Sequence, residues 1–330
     1  MPQTTSTTSF VIGVDVGGTK VAAGLVDRQS GRIATQTRSP MMAHGDAAAG
    51  LAAVTSAIDS IFQQNPGLLR TIHGIGICAP GPLDPNTGVV INPPNVPCWR
   101  NFPLADEVSR IYKVPVKVDN DANAAALAET LWGAGHGYRN VFYATVGTGI
   151  GTGIIFDGTI YHGRTGAAAE GGHTTIDHTG PRCTCGKRGC IEILASGPAI
   201  AKAARARLTS NGTRTSAILD LAGGKADAIS SEMVGQAYAA SDAIAREVLL
   251  QTVEFLSIWL GNIVDLLEPD VIIMGGGVSL MLKPFFGEMR KQLAGWCLNS
   301  RSQEIPLISA CYGGDAGIAG GAALCFDGVD

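Results

Sequence analysis

The sequence predicts an α/β protein with two lobes, each built around a mostly parallel sheet. Segments with the composition of strands alternate along the chain with segments typical of helices, and such alternation characterises parallel sheets. A glycine-bent hairpin near the start recurs 130 residues later. The chain of 330 residues is also long for a single hydrophobic core.

The first half supplies its elements in a regular order. Residues 10–27 alternate and turn as a hairpin, and a helix follows at about 46–64. A strand that ends in a Pro-Gly-Pro break, a short helix at about 103–112 and the strand VPVKVDN come next. The alanine-rich segment after this strand predicts a helix that runs to Gly133.

The second half repeats this beginning. GVDVGGTKVAAGLVD (13–27) aligns without gaps with YATVGTGIGTGIIFD (143–157), with three identities in fifteen positions. A cysteine-rich loop, helices between about 196 and 267, the strand PDVIIMGGG and an apolar segment, GIAGGAALC, follow. Two glycine-bent hairpins at equivalent places predict a duplicated fold with the site between its halves.

Composition and charge exclude several classes of protein. Hydrophobic residues make up 45% and charged residues 16%, as in a well-buried globular protein, and a net charge of −4 leaves no basic footprint for nucleic acid. MPQTTSTTSF lacks the basic and apolar regions of a secretory signal. The apolar segment 248–267 carries Gln251, Glu254, Asn262 and Asp265, and it predicts a buried helix instead of a membrane span. We therefore expect a cytoplasmic protein without a membrane partner.

Three of the eight cysteines crowd into CTCGKRGC. Cys183, Cys185 and Cys190 join His173 within eighteen residues, a set that would close a tetrahedral, structural Zn²⁺ site. His178 is an alternative ligand, and three unrelated thiols are the remaining alternative. The other cysteines are scattered, which favours buried thiols over a disulfide scaffold.

VKVDNDANAAALAE places four polar side chains in five positions at the end of a strand. A calcium loop is excluded because its sixth position is Ala124 and its twelfth is Thr130. A helix N-cap explains one or two of the four side chains. The remaining interpretation is a strand-to-helix junction that presents a polar ligand site.

The two glycine turns are candidate phosphate sites, because converging backbone N–H groups without a Cβ can hold an anion. They could instead mark only tight hairpins. A P-loop motif is absent from the sequence, and the Rossmann-like GIGICA is followed by prolines that block the required helix. The candidate residues are Asp15, which could hold a magnesium shell, Gly17, Gly18, Thr19 and Lys20 in the first turn, and Thr145, Gly147, Thr148, Gly149 and Gly151 in the second.

These motifs together resemble the bacterial ROK family (repressor, open reading frame, kinase) of the actin-like ATPase superfamily. The resemblance covers nearly the whole chain in order, through DVGGTK, APGPLD, NPPN, DNDAN, TVGTGIGTGI, EGGH with CTCGKRGCIE, and PDVIIMGGG. It implies a two-lobed, ribonuclease H-like fold with duplicated βα halves and a cleft between lobes. It also implies a smaller lobe of residues 1–125 plus 314–330 and a larger lobe of 126–313 that carries the zinc loop.

The resemblance also implies roles for individual residues. Asp121 becomes the catalytic base for the sugar hydroxyl, and the glycine turns take the phosphates of ATP with its Mg²⁺. The implied sugar-binding residues are Gly81, Asn95, Asn120, Asp121, Glu170, His173 and Glu192. The implied adenosine site is Gly275, Gly276 and Gly277. His173 would place one ring nitrogen on zinc and the other toward the sugar.

We accordingly expect an ATP-dependent hexokinase of glycolysis that converts glucose to glucose 6-phosphate and assembles as a homodimer or larger homo-oligomer. A kinase for N-acetylmannosamine or N-acetylglucosamine is the alternative within this class. A sugar-binding regulator without turnover is the alternative from another class. Fourteen residues precede Asp15, too few for a helix-turn-helix domain ahead of it, which disfavours a repressor.

Overall fold

A computed structural model describes residues 9–210 and 215–326. Residues 1–8 lie outside these ranges, and they make up most of the segment that predicts the absence of a secretory signal. The strands are β1 Phe10–Val16, β2 Lys20–Asp27, β3 Ile33–Pro40, β4 Ile75–Ala79, β5 Leu83–Asp84, β6 Val89–Val90, β7 Val116–Asn120, β8 Val141–Val146, β9 Ile150–Phe156, β10 Thr159–Ile160, β11 Val271–Gly275 and β12 Leu307–Ser309. The helices are α1 Ala47–Gln64, α2 Leu104–Tyr112, α3 Asp121–Trp132, α4 Ile191–Ala195, α5 Gly197–Ser210, α6 Ala217–Leu221, α7 Ser231–Ala239, α8 Ala243–Leu267, α9 Gly277–Leu282, α10 Phe286–Trp296 and α11 Ala316–Ala323.

The described residues group into two compact units. The first unit comprises those of Met1–Val141, Gly153–Ala169 and Cys311–Asp330, and the second comprises those of Phe142–Thr152 and Glu170–Ala310. The lobe boundary expected at residue 125 falls inside α3, which belongs whole to the first unit because it packs on α11. The division into a smaller and a larger catalytic lobe stays a prediction.

The first unit is built on a five-stranded sheet of order β3-β2-β1-β4-β7. Strand β1 pairs antiparallel with β2 and parallel with β4, which in turn pairs parallel with β7. Side chains alternate between the two faces, so Ile12 joins the core shared with α1, whereas Val11 packs with Ile318 of α11. The carboxyl ends of β1, β4 and β7 therefore lie side by side at one edge of the sheet.

Helix α11 approaches the sheet closely because glycines line both surfaces. A Cβ added to Gly13 would lie 1.8 Å from the Ile318 carbonyl oxygen, and one added to Gly76 would lie 1.8 Å from that of Gly321. On its other side, Gly320 meets the backbone of Ala124 in α3. Glycine disfavours a helix in isolation, so the apolar segment GIAGGAALC is helical because this packing requires it.

The second five-stranded sheet has the order β10-β9-β8-β11-β12. In both sheets the first three strands of the half lie in reverse chain order, and two later strands of the same half follow them in chain order. This identity of order confirms the predicted duplication and the α/β class. Strand Ile33–Pro40, to which no element was assigned from sequence, forms the edge strand β3, with alternate residues more exposed.

Helix α8 is the central helix of the second unit. Its 25 residues are long and apolar enough to cross a membrane, but 61% of its most apolar window is buried inside the protein. Trp259 is fully buried there and meets Phe142 edge-on at a ring-centroid distance of 5.6 Å. This burial agrees with the core helix predicted from sequence.

Candidate active site

The junction between β7 and α3 carries the four polar side chains singled out in the sequence. Asn120 is the N-cap of α3, and its Oδ1 accepts a hydrogen bond of 2.9 Å from the Ala122 N–H. Asp121 is the first helical residue, and its Oδ1 accepts from the same N–H at 2.8 Å. The cap therefore holds Asn120 and Asp121 in fixed positions at the carboxyl end of the strand.

Asp119 and Asn123 face inward from the same junction. Both are buried, and Asp119 Oδ1 accepts hydrogen bonds from the Asn120 N–H at 2.7 Å and from Asn123 Nδ2 at 3.1 Å. The other carboxylate oxygen of Asp119 accepts from His162 Nε2 at 2.6 Å. The four polar residues thus divide into an inner pair that braces the junction and an outer pair that remains available to a ligand.

Two opposing effects act on the charge of Asp121. A helix N-terminus by itself favours the ionised form of a carboxylate. Desolvation by the surrounding protein instead raises the pKa of Asp121, although its side chain stays accessible and the Ala122 N–H works in the opposite direction. Desolvation wins because the charged form loses more hydration than one hydrogen bond returns. A carboxylate with a raised pKa is a stronger proton acceptor.

Asp15, at the end of β1, lies in the same electrostatic environment. Burial and the neighbouring Asp121 carboxylate raise the pKa of Asp15, while Lys20 and Arg38 oppose the increase. Two carboxylates that disfavour each other's charge beside a lysine can bind a cation or cationic complex between them. The predicted magnesium ligand and the predicted base are therefore neighbours within the first unit.

The first glycine turn is partly closed by its own backbone. The Gly17 N–H donates to the Lys20 carbonyl oxygen at 2.9 Å, so this amide serves the hairpin and not a ligand. A Cβ on Gly18 would lie 2.7 Å from the Asn95 carbonyl oxygen, which places Asn95 against the turn. Gly81 lies close to the Asn120 side-chain amide, because a Cβ added to Gly81 would be 3.6 Å from Asn120 Nδ2. The first unit thus brings its predicted sugar and phosphate residues into two adjoining groups.

In the second unit, Glu192 is the central acid. Its Oε2 accepts from the Ile150 N–H at 3.0 Å, and a Cβ on Gly149 would lie 2.6 Å from that oxygen. Its Oε1 lies 4.0 Å from His173 Nδ1. Glu170 comes three residues before His173, whose N–H donates to the Glu170 carbonyl oxygen at 3.0 Å, and its side chain is exposed. The predicted sugar residues of this unit therefore gather around the second glycine turn.

The predicted metal ligands converge. One ligand atom from each of His173, Cys183, Cys185 and Cys190 lies within 4.8 Å of every other. Cys185 Sγ is 3.6 Å from Cys190 Sγ, and Cys183 Sγ is 3.7 Å from His173 Nδ1. These four side chains can hold a metal ion, and His178 does not belong to their group. None of the eight cysteines forms a disulfide, as the sequence indicated. The expectation that the five cysteines outside this group are buried holds only for Cys78, since three of them are partly exposed and Cys311 is exposed.

A pocket of about 490 Å³ opens in the second unit beside the second glycine turn. Gly147 and Thr148 of the turn and Gly277 at the start of α9 line it. Gly275 and Gly276 lie outside that lining, because they pack against Tyr143 and the Val146 backbone. An adjoining pocket of about 460 Å³ is mostly apolar, with Tyr238, Met281 and Pro284 in its wall. The two pockets together offer a polar end and an apolar end.

Several pocket residues were missed in the sequence analysis. Arg205, Ser230, Ser231 and Glu232 line the first pocket, and the last two also line the second. Gly197 also lines the first pocket, and its N–H donates to the Gly147 carbonyl oxygen at 2.8 Å. The missed residues belong to α5, to α7 and to the N-cap of α7, and the packing of these helices cannot be read from spacing.

Comparison with known proteins identifies the family. The family model described as ROK family matches residues 11–327. The glucokinase of Halalkalibacterium halodurans is 34% identical over 316 residues, which cover 96% of this chain and 94% of that protein. The crystal structure of a ROK family glucokinase from Streptomyces griseus in complex with glucose and AMPPNP is 34% identical, with a TM-score of 0.80, over 96% of this chain and 98% of that chain. The xylose repressor of Caldicellulosiruptor bescii is 30% identical over 88% of this chain and 70% of its own length.

Proposed function

This chain belongs to the ROK family, and from that membership we propose that it is an ATP-dependent kinase that phosphorylates glucose at its 6-hydroxyl. The observation that carries the proposal is the capped junction at Asp121, an accessible carboxylate with a raised pKa beside Asp15 and Lys20. Its expected product is glucose 6-phosphate, and the expected location is the cytoplasm.

Asp121 would act as the general base. As the bond to the γ-phosphorus forms, the 6-hydroxyl loses a proton, and a positioned carboxylate with a raised pKa is suited to accept it. Asn120 and Gly81 are adjacent to it and would orient other hydroxyls, with Asn95 a further sugar ligand. The raised pKa makes the Asp121 carboxylate a stronger proton acceptor than an ordinary aspartate.

Glu170, His173 and Glu192 would bind the remaining hydroxyls of the sugar. Carboxylates accept from hydroxyl groups, and His173 keeps Nε2 for the sugar if Nδ1, the nitrogen nearest Cys183, is bound to the metal. We propose that the metal is Zn²⁺. Tetrahedral zinc with bonds of about 2.3 Å to sulfur separates neighbouring sulfur atoms by about 3.8 Å, close to the 3.6 Å between Cys185 and Cys190. Its role would be to hold the segment between the two glutamates.

ATP would occupy the paired pockets of the second unit. Its phosphates suit the polar end, at Gly147, Thr148 and Arg205, and its adenine suits the apolar end, at Tyr238 and Met281. Thr145, Gly149 and the first turn, with Gly18, Thr19 and Lys20, remain candidates for the terminal phosphates. Mg²⁺ would be held near Asp15 and supply charge neutralisation when it is bound with ATP.

A coupled kinase assay tests the proposal. The full-length protein is given ATP and Mg²⁺ with glucose, mannose, N-acetylmannosamine and N-acetylglucosamine in turn, and kcat/KM is compared. Glucose should give the highest value. A higher value for either N-acetyl sugar would replace the glucokinase assignment with the alternative kinase. Binding of sugars without turnover on any of them would support the regulator.

A further inference from the structure

We propose that His162 is a positioning residue for phosphoryl transfer, acting through Asp119 on the Asn120–Asp121 junction. The proposal rests on the function proposed above, since it concerns the same carboxylate. His162 is absent from the predicted site residues, and its contact with β7 becomes visible only in the folded chain.

Asp119 is the residue through which His162 would act. It is 4% exposed, and both of its carboxylate oxygens accept hydrogen bonds. Oδ1 accepts from the Asn120 N–H and the Asn123 side chain, while Oδ2 accepts from His162 Nε2 at 2.6 Å, its one donor among the described residues. A buried carboxylate needs such partners, because an unpaired charge in this position carries a large desolvation penalty.

The orientation of Asp119 is transmitted to Asp121 over a short path. Asp119 Oδ1 holds the Asn120 N–H, Asn120 Oδ1 caps α3 at the Ala122 N–H, and Asp121 accepts from that same N–H. A rotation of the Asp119 side chain would therefore disturb the backbone of Asn120 and the cap. Displacements of this kind near a reacting group change rates strongly, because proton transfer requires close alignment.

His162 also fastens a loop that leads to a second predicted sugar residue. The loop follows β10, contains Gly163 and Gly166 with positive φ, and ends at Glu170. Its internal hydrogen bond from the Ala168 N–H to the His162 carbonyl oxygen, at 3.1 Å, closes the loop on the residue that reaches Asp119. Removing the imidazole would free this loop from β7 at the point where it is anchored.

The imidazole is accessible although Asp119 is not. The His162 side chain is 32% exposed and lines a pocket of about 210 Å³ whose other polar residues include Lys117 and Asp119. Asp119 raises the pKa of His162 through their hydrogen bond, and burial opposes the increase. Lys117 is the other charged residue in the lining. The imidazole can therefore exchange protons with solvent although the carboxylate it bonds is buried.

The consequence is a pH dependence with a defined direction. A histidine whose pKa is raised by folding stabilises the native state fully below its unfolded value, about 6.5, and loses that contribution as pH rises through the raised value. Above it, neutral imidazole still donates from Nε2, but the hydrogen bond is no longer assisted by a positive charge. We expect kcat to decline with the same titration.

The experiment compares two substitutions at His162 in the full-length chain, with saturating glucose and MgATP. His162→Ala should lower kcat by roughly 10-fold to 100-fold, the range that misplacement of a reacting group produces, with KM for ATP unchanged. His162→Gln keeps an N–H donor and should recover most of this kcat, but it should lack the alkaline decline. His136→Ala removes an exposed imidazole bonded to the Leu131 carbonyl and should match the wild type.

Calorimetric titration with glucose in the absence of ATP gives a readout that does not depend on turnover. Glucose should bind more weakly to His162→Ala than to His162→Gln or the wild type. Equal kcat and equal glucose affinity for His162→Ala, under conditions where circular dichroism shows it folded, would overturn the proposal. The proposal would also be overturned if the losses of kcat and glucose affinity in both variants were fully explained by the fraction of each variant that is unfolded, as measured by urea titration. A wild type inactive on every sugar would contradict the proposed kinase function instead, while the binding comparison would still decide the role of His162.

Discussion

At the residue scale, the polar side chains from Asp119 to Asn123 have two separate tasks. Asp119 and Asn123 are buried and bonded to each other, whereas Asn120 and Asp121 cap α3 and face outward from the junction. Both carboxylate oxygens of Asp119 accept hydrogen bonds from other residues, whereas only one oxygen of Asp121 does so within the described part of the chain. Substitution of Asp119 should therefore affect stability most, and substitution of Asp121 should affect kcat most.

Asp121→Asn should reduce kcat by roughly 10²-fold or more, the usual scale for removing a general base, while glucose binding is largely retained. It should also raise the melting temperature at pH 7. A carboxyl whose pKa is raised by folding destabilises the native state once ionised, and the amide carries no charge. Steady-state kinetics and calorimetry measure the two effects.

Asp119→Asn is the matched comparison. It should lower the melting temperature, and it should lower kcat per folded molecule less than Asp121→Asn does, because Asp119 positions the junction and does not itself accept the proton. The physical reason for the lower melting temperature is the loss of a charged acceptor for three hydrogen bonds inside the protein. Near-normal kcat in Asp121→Asn, together with an inactive but folded Asp119→Asn, would show that the other aspartate is the base.

Also at the residue scale, Cys185→Ser should abolish metal binding and lower both stability and glucose affinity. A tetrahedral site that loses one of its thiolate ligands loses most of its affinity for the metal. The segment that links Glu170 to Glu192 is then no longer held by the metal. Elemental analysis should find about one zinc per wild-type chain and none in the variant.

Cys311→Ser provides the control for that substitution, because Cys311 is exposed and lies outside the ligand group. It should keep the metal and the wild-type glucose affinity. Wild-type protein without zinc, or a metal-free Cys185→Ser with unchanged sugar affinity, would exclude the proposed role of the cluster.

At the element scale, two helical glycines should respond to alanine with opposite signs. Gly321 lies in α11, where a Cβ would be 2.5 Å from the Gly76 carbonyl oxygen, so Gly321→Ala forces the helix from the sheet and should cost about 1–3 kcal/mol. Gly295 lies in α10 with open space around it, so Gly295→Ala should add up to about 1 kcal/mol. Urea titration of each variant gives the free energy of unfolding, and a neutral Gly321→Ala would contradict the close packing.

At the scale of the whole molecule, we expect assembly with a second copy of the chain. Three exposed apolar side chains lie at or just after the ends of α8 and α10 and define the patch: Leu266, Trp296 and Leu298, which are 77%, 43% and 93% exposed. The Leu298 N–H donates to Asp265 at 2.8 Å, which holds the patch together. Exposed apolar clusters of this kind favour association.

Light scattering should give twice the mass of one chain, or more, and Leu298→Asp should shift the protein toward a single chain. Ile111→Asp is the control, since Ile111 is 43% exposed in α2 and distant in sequence from the patch. A wild type that stays a single chain at micromolar concentration would refute the expectation.

Sequence alone determined the parts of this protein that depend on neighbouring residues. The capped junction at Asp121, the two glycine hairpins and the candidate metal ligands from His173 to Cys190 are each contained in short segments, where spacing and side-chain chemistry suffice. The duplication was visible because both halves begin with the same hairpin. Matching family motifs extended these local patterns to the order of the whole chain.

Only the tertiary structure decided what depends on distant segments. His162 meets Asp119 across 43 residues, and buried Glu129 accepts the N–H groups of Cys311 and Tyr312 from the other end of the chain. The glycines of α11 are explained by tertiary packing, since the helix lies so close to β1 and β4 that a Cβ on Gly321 would clash with their backbone. The pKa of Asp121 likewise rises because desolvation by the surrounding protein outweighs the hydrogen bond from the Ala122 N–H, and no local pattern specifies which segments surround it.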